Sequence, residues 1–412
     1  MAGEWRDTTL GEFVTLQRGH DLTDSERRSG SVPVLGAAGH NGFHDTAIAK
    51  GPGIVVGRSG ASFGQVHYCE ADFWPHNTSL YVTDFRGNHP RFAYYFMKAL
   101  DFSRYNSGSA QPSLNRNFIY PIEVQIPPIE EQVAIAHILG SLDDKIELNR
   151  QLNETLEAMA RALFKSWFVD FDPVRAKAEG RDTGLPKHIA DLFPDSFVDS
   201  EQGEIPGGWR LGSIGDLADV VGGTTPSTKE LSYWERGTHA WVTPKDLAGL
   251  STPALLETER RITDAGLSKV ASGLLPKGTV LLSSRAPIGY LAVAETPVAI
   301  NQGFIGMVAK AGTSNLFLLR WASVAHEAIV SRANGSTFLE ISKATFRPIP
   351  VVTPSAQVMK AFDLLARPLY QRVVQCERQS HTLVIQRDTL LPRLISGKLR
   401  YKQTRPVSEM AR

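Results

Sequence analysis

The feature that most constrains this chain is an internal repeat, in which the second half echoes the first. Matching positions are 204 to 227 residues apart and keep the same order in both halves: Trp5 with Trp209, Gly53 with Gly278, Asn77 with Asn301, Gly108 with Gly335, Pro121 with Pro348, and Gln132 with Gln357. The identities between the halves are sparse. A repeat of this kind predicts two copies of one fold whose surfaces have diverged.

Each copy opens with segments of strand character. Gly53 to Gly57 and Val280 to Leu282 are apolar, β-branched runs bounded by Gly, Pro and Ser, and the stretches between such runs are rich in Gly, Ser and Asn. We therefore predict two β-rich domains, the first domain at 1–128 and the second domain at 205–352. A chain of 412 residues has room for both and for connecting elements.

Each domain is followed by a proline-rich exit and a helical region, at 129–204 and 353–412. Proline suits the start of a helix because the first turn leaves its N–H groups unpaired anyway. Apolar and amide side chains recur at alternating three- and four-residue spacing in the first region: Leu142, Ile146, Asn149, Asn153, Leu156, Ala160, Leu163 and Trp167. The second region has a comparable stripe: Leu369, Val373, Cys376, Leu383, Leu390 and Leu394. Both patterns predict coiled-coil-like helices.

The starts of the two long helices are predicted from breaker residues. Gly140 and Ser141 are expected to separate a short leading helix from a long one that begins near Leu142. Pro368 is expected to begin the corresponding long helix in the second region.

The two helical regions carry opposite charge. Residues 129–204 hold 8 Lys/Arg and 16 Asp/Glu, a net of −8, and residues 353–412 hold 11 and 4, a net of +7. The first and second domains are close to neutral, at −1 and +3. We expect the helices to pair antiparallel, although two separately solvated helices would give the same counts. The predicted fold is α+β, with two tandem β-rich domains, two long helices and a pseudo-twofold repeat.

Several longer motifs resemble a known family. The runs are FKSWFVDFDP at 164–173, GEIPGGW at 203–209, RDTLLPRLISGKL at 387–399 and PPIEEQ at 127–132. They are similar, in order and across the whole chain, to the specificity subunits of type I restriction–modification enzymes. The resemblance implies that each β-rich domain is a target recognition domain that reads one half of a split site in double-stranded DNA. It also implies that the helices set the gap between the halves.

The resemblance further implies partners. Two methyltransferase subunits that use S-adenosylmethionine would dock on the helices, and nuclease–translocase subunits that use ATP and Mg²⁺ would complete a restriction complex. This chain would bind no cofactor and catalyse no reaction. Residues proposed for docking or for the spacer are Asn149, Asn153, Trp167, Phe168, Asp170, Arg387, Asp388 and Arg393. The two Asn side chains could fix the register of the seam or could simply face solvent.

Candidate DNA-binding residues come from matching loops of the two domains. Arg58 and Arg285 occupy equivalent turns, where each could reach a guanine edge or a phosphate, or could be an ordinary solvated arginine. Asn77 and Asn301 could pair with adenine, although a turn-capping amide is the favoured alternative. The remaining candidates lie in polar loops or on basic positions: Ser59, Arg104, Ser109, Gln111, Arg116, Lys245 and Ser336.

Other chemistries have little support in the sequence. His40 and His44 are four apart but have Gly42 between them and no third ligand nearby, so no metal site is predicted. Asp170 and Asp172 could suggest a nuclease pair, but their place in a helix-ending motif favours a structural or docking role. Cys69 and Cys376 are far apart, and no apolar run is long enough for a membrane span, so we expect a cytoplasmic protein that binds no membrane.

Two alternatives stay open at this stage. The chain could serve a methylation-only or other phage-defence complex that lacks nuclease subunits, which neighbouring genes would distinguish. It could also be a self-contained DNA-modifying enzyme. The sequence contains no P-loop, no glycine-rich nucleotide fingerprint and no Asn-Pro-Pro-aromatic motif, which disfavours that second alternative.

Overall fold

The computed structural model of the chain describes residues 4–108, 112–285, 287–335 and 339–400. These residues form two compact units. The first unit combines the chain up to Glu147 with the part from His381 onward, and the second unit runs from Leu148 to Ser380. Each unit therefore contains one β-rich domain together with a segment of each long helix.

The first domain contains nine strands and four short helices among the described residues. Its strands are β1 (Arg6–Thr9), β2 (Thr15–Arg18), β3 (Val32–Gly36), β4 (Gly39–His44), β5 (Gly53–Gly57), β6 (Val66–Cys69), β7 (Trp74–Pro75), β8 (Ser79–Asp84) and β9 (Glu123–Ile126). Its helices are α1 (Leu10–Phe13), α2 (Pro90–Lys98), a 3-10 helix (Phe102–Tyr105) and α3 (Arg116–Ile119). The long helix α4 (Ile129–Phe168) follows.

After α4 come a connecting segment and the second domain. The connecting segment contains α5 (Asp172–Ala178), α6 (Lys187–Ala190), β10 (Phe197–Ser200) and β11 (Gly203–Pro206). The strands of the second domain are β12 (Arg210–Ser213), β13 (Ala218–Gly222), β14 (His239–Val242), β15 (Ala254–Leu255), β16 (Arg260–Ile262), β17 (Val280–Ser284), β18 (Ile288–Ala294), β19 (Val298–Ile300), β20 (Phe304–Ala309) and β21 (Pro350–Thr353). Its helices are α7 (Ile214–Leu217), a 3-10 helix (Leu231–Tyr233), α8 (Pro244–Ala248), α9 (Asp264–Leu267), α10 (Asn315–Val324), α11 (His326–Val330) and α12 (Lys343–Phe346), and α13 (Ala356–Ile395) follows.

The sheet topology of the two domains confirms the internal repeat. The first domain has a sheet of order β2-β8-β5-β6 and a smaller one of order β4-β3-β7, and the second has β13-β20-β17-β18-β15 and β16-β14-β19. In each domain the first and last strands pair antiparallel, β1 with β9 and β12 with β21. The α+β fold predicted from the sequence is therefore present twice.

Local sequence explains the matching first turns of the two domains. Thr9 and Glu12 form a capping box at the start of α1, and Ser213 and Asp216 form the equivalent box at the start of α7. In such a box each side chain bonds the other residue's backbone N–H, so two N–H groups that the short helix would leave unpaired are satisfied. The hydrogen bonds from Thr8 and Thr9 lower the pKa of Glu12 below its usual value.

The helix α4 runs unbroken through Gly140 and Ser141, so the predicted break there is wrong. A Cβ atom at position 140 would lie only 2.9 Å from the guanidinium of Arg91, which also donates to the Gly140 carbonyl oxygen at 3.3 Å. The glycine therefore makes room for an arginine of α2 and does not end the helix. Tertiary packing has overridden its low helix propensity.

The helix α13 likewise begins at Ala356 and passes through Pro368, so the predicted start at Pro368 is also wrong. Proline inside a helix removes one backbone hydrogen bond and crowds the carbonyl four residues earlier. That carbonyl belongs to Leu364, whose side chain is 65% exposed, and Pro368 is exposed as well. The carbonyl without its usual donor thus lies on the solvent side, where water can bond to it.

The long helices pair antiparallel within each unit, as predicted. In the second unit, Asn149 bonds Gln379 whereas Phe164, fifteen residues later, packs on Phe362. In the first unit, Asp143 bonds Arg387.

The charge contrast between the two long helices is smaller than the regional counts suggested: α4 alone carries 4 Lys/Arg against 7 Asp/Glu, and α13 carries 6 against 3. Most of the negative charge lies in the connecting segment.

Replacing Pro368 by Ala tests whether position 368 is inside a helix. We expect the free energy of unfolding to rise by about 1–3 kcal/mol, because the lost backbone hydrogen bond is restored and the clash is relieved. Chemical denaturation followed by circular dichroism measures the change, with Lys360→Ala at another exposed site of α13 as the control. An unchanged or lower stability of Pro368→Ala would indicate that the helix begins at 368.

Candidate functional site

A polar cleft of about 650 Å³ lies in the first domain where β2, β5 and α3 come together. Three arginines line it: Arg18 at the end of β2, Arg58 directly after β5, and Arg116 as the first residue of α3. Two of them, Arg58 and Arg116, were candidates from the sequence. Three guanidinium groups around an open cleft suit an anionic ligand.

Arg58 is anchored in this cleft through its main chain. Its backbone carbonyl accepts from the Leu114 N–H at 2.7 Å, which fixes the position of its main chain. Its Nε atom is buried, and no described residue accepts a hydrogen bond from it. Burial and the charge of nearby Arg18 lower the pKa of Arg58, but a guanidinium remains protonated at neutral pH. Arg58 therefore contributes a fixed positive charge to the lining of the cleft, which suits an anionic ligand.

Arg116 and Arg18 complete the basic lining. One guanidinium nitrogen of Arg116, Nη1, donates to the carbonyl oxygen of Leu16 at 2.9 Å, which holds the side chain across the end of β2. Arg18 was not a candidate from the sequence, although it directly precedes Gly19 much as Arg58 directly follows Gly57. Its position at a strand end facing a loop was the signal that could have indicated it.

The corresponding positions of the second domain carry different charges. Arg285 follows β17 as Arg58 follows β5, but it forms an ion pair with Glu340 at 3.5 Å. Lys343 begins α12 as Arg116 begins α3. Gly222 stands in the place of Arg18, and a Cβ there would lie 3.1 Å from the Lys343 side chain. The second domain therefore has two cations and one acid at these places, whereas the first has three arginines and Asp21.

The two asparagines of the repeat hold loops together. In the first domain Asn77 donates a hydrogen bond to Asp21, and in the second domain the neighbouring Gln302 bonds Thr225 at the equivalent place. Asn301 accepts the N–H of Gly303 at 2.8 Å. The Asn301 contact is a turn cap. The Asn77 contact joins two loops of the first domain.

The other DNA-binding candidates lie outside this arginine cluster. Arg104 pairs with Asp101 at 3.1 Å and Lys245 with Glu259 at 2.8 Å, and both cations are largely exposed. Ser59 forms an isolated β-bridge with Ser113 beside the cleft. Three further candidates fall outside the described residues: Ser109, Gln111 and Ser336.

Trp167 and Phe168 cannot form an exposed docking surface in this structure, which corrects that part of their proposed role. Their side chains are 1% and 8% exposed. Trp167 packs edge-on against Phe193, with ring centroids 4.9 Å apart, and Phe168 packs on Phe317 and Phe362 at 5.1 Å each. They belong to the apolar core of the second unit, where they attach the end of α4 to its surroundings.

Asn149 and Asn153 are buried in the seam between the helices, so the solvent-facing alternative is excluded. The Asn149 side-chain amide donates to Gln379 at 3.0 Å and to Ser380 at 3.1 Å, and that of Asn153 donates to Glu377 at 2.7 Å. Both Oδ1 atoms are buried, and no residue in the described part of the chain donates a hydrogen bond to them. Polar contacts of this kind favour one helix register at some cost in stability.

The remaining docking candidates differ in exposure. Arg387 is largely buried and bonds Asp143 at 2.8 Å, whereas Asp388 and Arg393 are exposed. Asp170 pairs with Lys165 at the end of α4. Asp388 and Arg393 are therefore accessible to another subunit, and Arg387 acts within the first unit.

Neither a metal site nor a membrane span is found in the described parts of the chain. Within the described ranges, no three His, Cys, Asp or Glu side chains are placed to share a metal ion. His40 packs on the ring of Phe43, and His44 is buried beside Trp74. None of the described helices has the length and apolar character needed to cross a membrane.

Comparison with known proteins identifies the class. The family model of the type I restriction modification DNA specificity domain matches residues 2–158 and 206–361, so the chain belongs to that family and contains two copies of the domain. It is 26% identical to the type I restriction enzyme HindI specificity subunit of Haemophilus influenzae, over 70% of this chain and 71% of that protein. It is 38% identical to the MjaIX specificity subunit of Methanocaldococcus jannaschii, over 40% of each chain.

The fold comparison agrees. The crystal structure of a type I restriction–modification system S subunit from M. genitalium matches with a TM-score of 0.66 and 17% identity, covering 97% of both chains. The resemblance drawn from the motifs and the predicted fold class are thereby confirmed: the chain is a specificity subunit of the type I restriction–modification kind.

Gly223 tests how the basic loops are held. Gly223 lies against the backbone at the end of β19, and its counterpart Gly19 lies against the backbone at the end of β7. A Cβ at Gly223 would lie 1.8 Å from the Ile300 carbonyl oxygen. We expect Gly223→Ala to lower the free energy of unfolding by about 1–3 kcal/mol, because backbone must move. Denaturation with urea measures this. Gly249→Ala, where the added methyl meets nothing within 4 Å, is the control and should stay within about 1 kcal/mol of the parent.

Proposed function

We propose that this chain selects the DNA sequence on which a type I restriction–modification complex acts, with the first and second domains each reading one half of a bipartite site. The observation that carries the proposal is the duplicated domain, which places a strand-end arginine, Arg58 or Arg285, at the same point of the fold in both copies. The differing neighbours of these arginines support two different half-sites.

The long helices would set the gap between the half-sites. Each contains 40 residues, which corresponds to about 60 Å at 1.5 Å per residue. Each base pair advances the duplex by about 3.4 Å, and about 10 base pairs complete one turn, so the two readers must be held at a fixed separation and rotation. A paired set of helices can do this, whereas a flexible linker cannot.

Within the first domain, Arg58 is our candidate for reading a base. An arginine fork with free donors can bond O6 and N7 of a guanine, the most frequent specific contact in the major groove. Arg18 and Arg116 flank it and would neutralise phosphates, which fixes orientation without reading sequence. In the second domain, Glu340 beside Arg285 could instead accept from a cytosine amino group.

The chemistry would come from partners. We propose that two methyltransferase subunits, using S-adenosylmethionine to methylate adenine, dock on α4 and α13, and that nuclease–translocase subunits using ATP and Mg²⁺ join for restriction. In this proposal the chain itself supplies no catalytic residue and binds no cofactor, and it works in the cytoplasm. The exposed Asp388 and Arg393 are candidate contacts for a partner.

The modified-base motif of the host genome tests this function. With the gene present, long-read sequencing should detect a methylated sequence of two short specific parts separated by a fixed unspecific gap, and deletion of the gene should abolish it. Purified chain given S-adenosylmethionine and Mg²⁺ should not modify DNA without its partners. Methylation by the isolated chain, or a motif unaffected by deletion, would contradict the proposal.

Arg58→Ala tests whether Arg58 contacts a base of the recognised sequence. We expect the motif to lose its preference for guanine at one position of one half, because a bidentate contact discriminates by about 1–3 kcal/mol. Arg104→Ala removes an arginine of the same domain that is already paired with Asp101, and should leave the motif unchanged. A motif that keeps every position in Arg58→Ala would assign base reading to other residues.

A further inference from the structure

Each domain is bonded to the long helices through a cluster of largely buried polar side chains. In the first unit the cluster contains Tyr95 of α2, Asp143 of α4 and Arg387 of α13. In the second unit it contains Arg320 of α10 and Glu157 of α4. Tyr95 and Arg320 are each the sixth residue of their helices, so the repeat places them at equivalent points.

In the first cluster the carboxylate of Asp143 is shared between two elements. The Tyr95 hydroxyl donates to its Oδ2 at 2.6 Å, and Nη1 of Arg387 donates to its Oδ1 at 2.8 Å. The Tyr95 side chain is fully buried, and burial together with the hydrogen bond to Asp143 raises its pKa, so its hydroxyl keeps the proton that it donates. The first domain is thus bonded to α4, and the same carboxylate of α4 is bonded to α13.

In the second cluster an arginine of the domain, in place of a tyrosine, donates to a carboxylate of α4. Nη1 and Nη2 of Arg320 donate to the two oxygens of Glu157 at 2.9 and 2.7 Å, and both side chains are only 9% exposed. Tyr370 is the fifteenth residue of α13, the position that Asp143 has in α4, and its hydroxyl donates to Glu295 of the second domain at 3.0 Å. The second domain is therefore bonded to both helices.

These bonds provide what apolar packing cannot. Contacts between apolar side chains are not directional and tolerate small rotations of one element on another. A two-point arginine–carboxylate bond has one geometry. Replacing a buried ion pair by apolar residues often leaves stability unchanged or higher, so stability alone does not account for such a pair. The second domain is bonded to both helices, which opposes its rotation about either of them. In the first unit, the domain and α13 are both bonded to one carboxylate of α4.

We propose that the pair Arg320–Glu157 and the cluster Tyr95–Asp143–Arg387 are positioning residues that fix the rotation of each domain on the helix pair, and thereby restrict the enzyme to one gap between half-sites. The inference rests on the proposed function. Successive base pairs are rotated by about 35°, so even a modest rotational freedom of one domain would admit a neighbouring gap.

The test uses the double variant Glu157→Leu, Arg320→Met, which removes both charges together. No unpaired charge is left buried, so the variant should fold, while the directional bond is gone. The single variant Arg320→Met leaves Glu157 buried without its partner and should be clearly less stable. Lys187→Met with Asp191→Leu removes an exposed ion pair of the same unit and is the matched control.

The experiment measures which gap lengths each variant methylates, and a change in stability alone does not count as support. Each variant is assembled with its methyltransferase subunits and given S-adenosylmethionine and a pool of duplexes in which the gap is shortened or lengthened by one or two base pairs. We expect parent and control to modify one gap. The double variant should modify neighbouring gaps about tenfold more, relative to the parent, which corresponds to about 1.4 kcal/mol. Tyr95→Phe, which removes only a hydroxyl, should likewise increase the modification of duplexes with neighbouring gaps.

Two results would overturn the inference. One is a folded double variant, or a folded Tyr95→Phe variant, that modifies the parent's gap alone. The other is a folded double variant that modifies no gap at all, because the pair would then be needed for assembly or for binding. Should the double variant not fold, Tyr95→Phe decides by itself. A parent that modifies no bipartite sequence would instead refute the proposed function.

Discussion

Each β-rich domain completes its core with segments of both long helices, and the rest of the structure depends on this constraint. In the first unit Leu394 and Ile395, from the end of α13, are buried in the same cluster as Phe13 and Phe92 of the first domain. In the second unit Phe164 of α4 and Phe362 of α13 meet over Phe317 of α10. Neither domain can therefore move independently of the helices without exposing apolar surface.

Function follows from what this arrangement leaves exposed. The cores fix the ends of strands and the starts of short helices, and these positions carry the side chains that differ between the two copies. Arg18, Arg58 and Arg116 surround an open cleft in the first domain, whereas Gly222, Arg285 and Lys343 occupy the matching places in the second. One scaffold with two sets of loop residues is what reading two unlike half-sites requires.

The sequence predicted the repeat, the α+β class, the seam and the antiparallel pairing, because these depend on periodicity and on motifs that extend over many residues. The predicted helix breaks at Gly140 and Pro368 were wrong. Gly140 stays helical because it makes room for Arg91, and Pro368 stays helical because the carbonyl that it leaves without a donor lies on the solvent side. The sequence also missed Arg18, and it proposed Trp167 and Phe168 for docking or for the spacer although both are buried in the core of the second unit, since a motif does not reveal which of its residues are buried. Which loop residues meet in space could not be predicted, because Arg58 and Arg116 are brought together by long-range pairing alone.

The central claim, that the two domains read separate half-sites, is tested most directly by exchanging one domain. Residues 1–128 would be replaced by the matching domain of a relative with a different target, and the methylated motif of the resulting strain would be sequenced. We expect one half of the motif to change while the other half and the gap stay the same. A folded hybrid in which both halves change, or neither does, would contradict it.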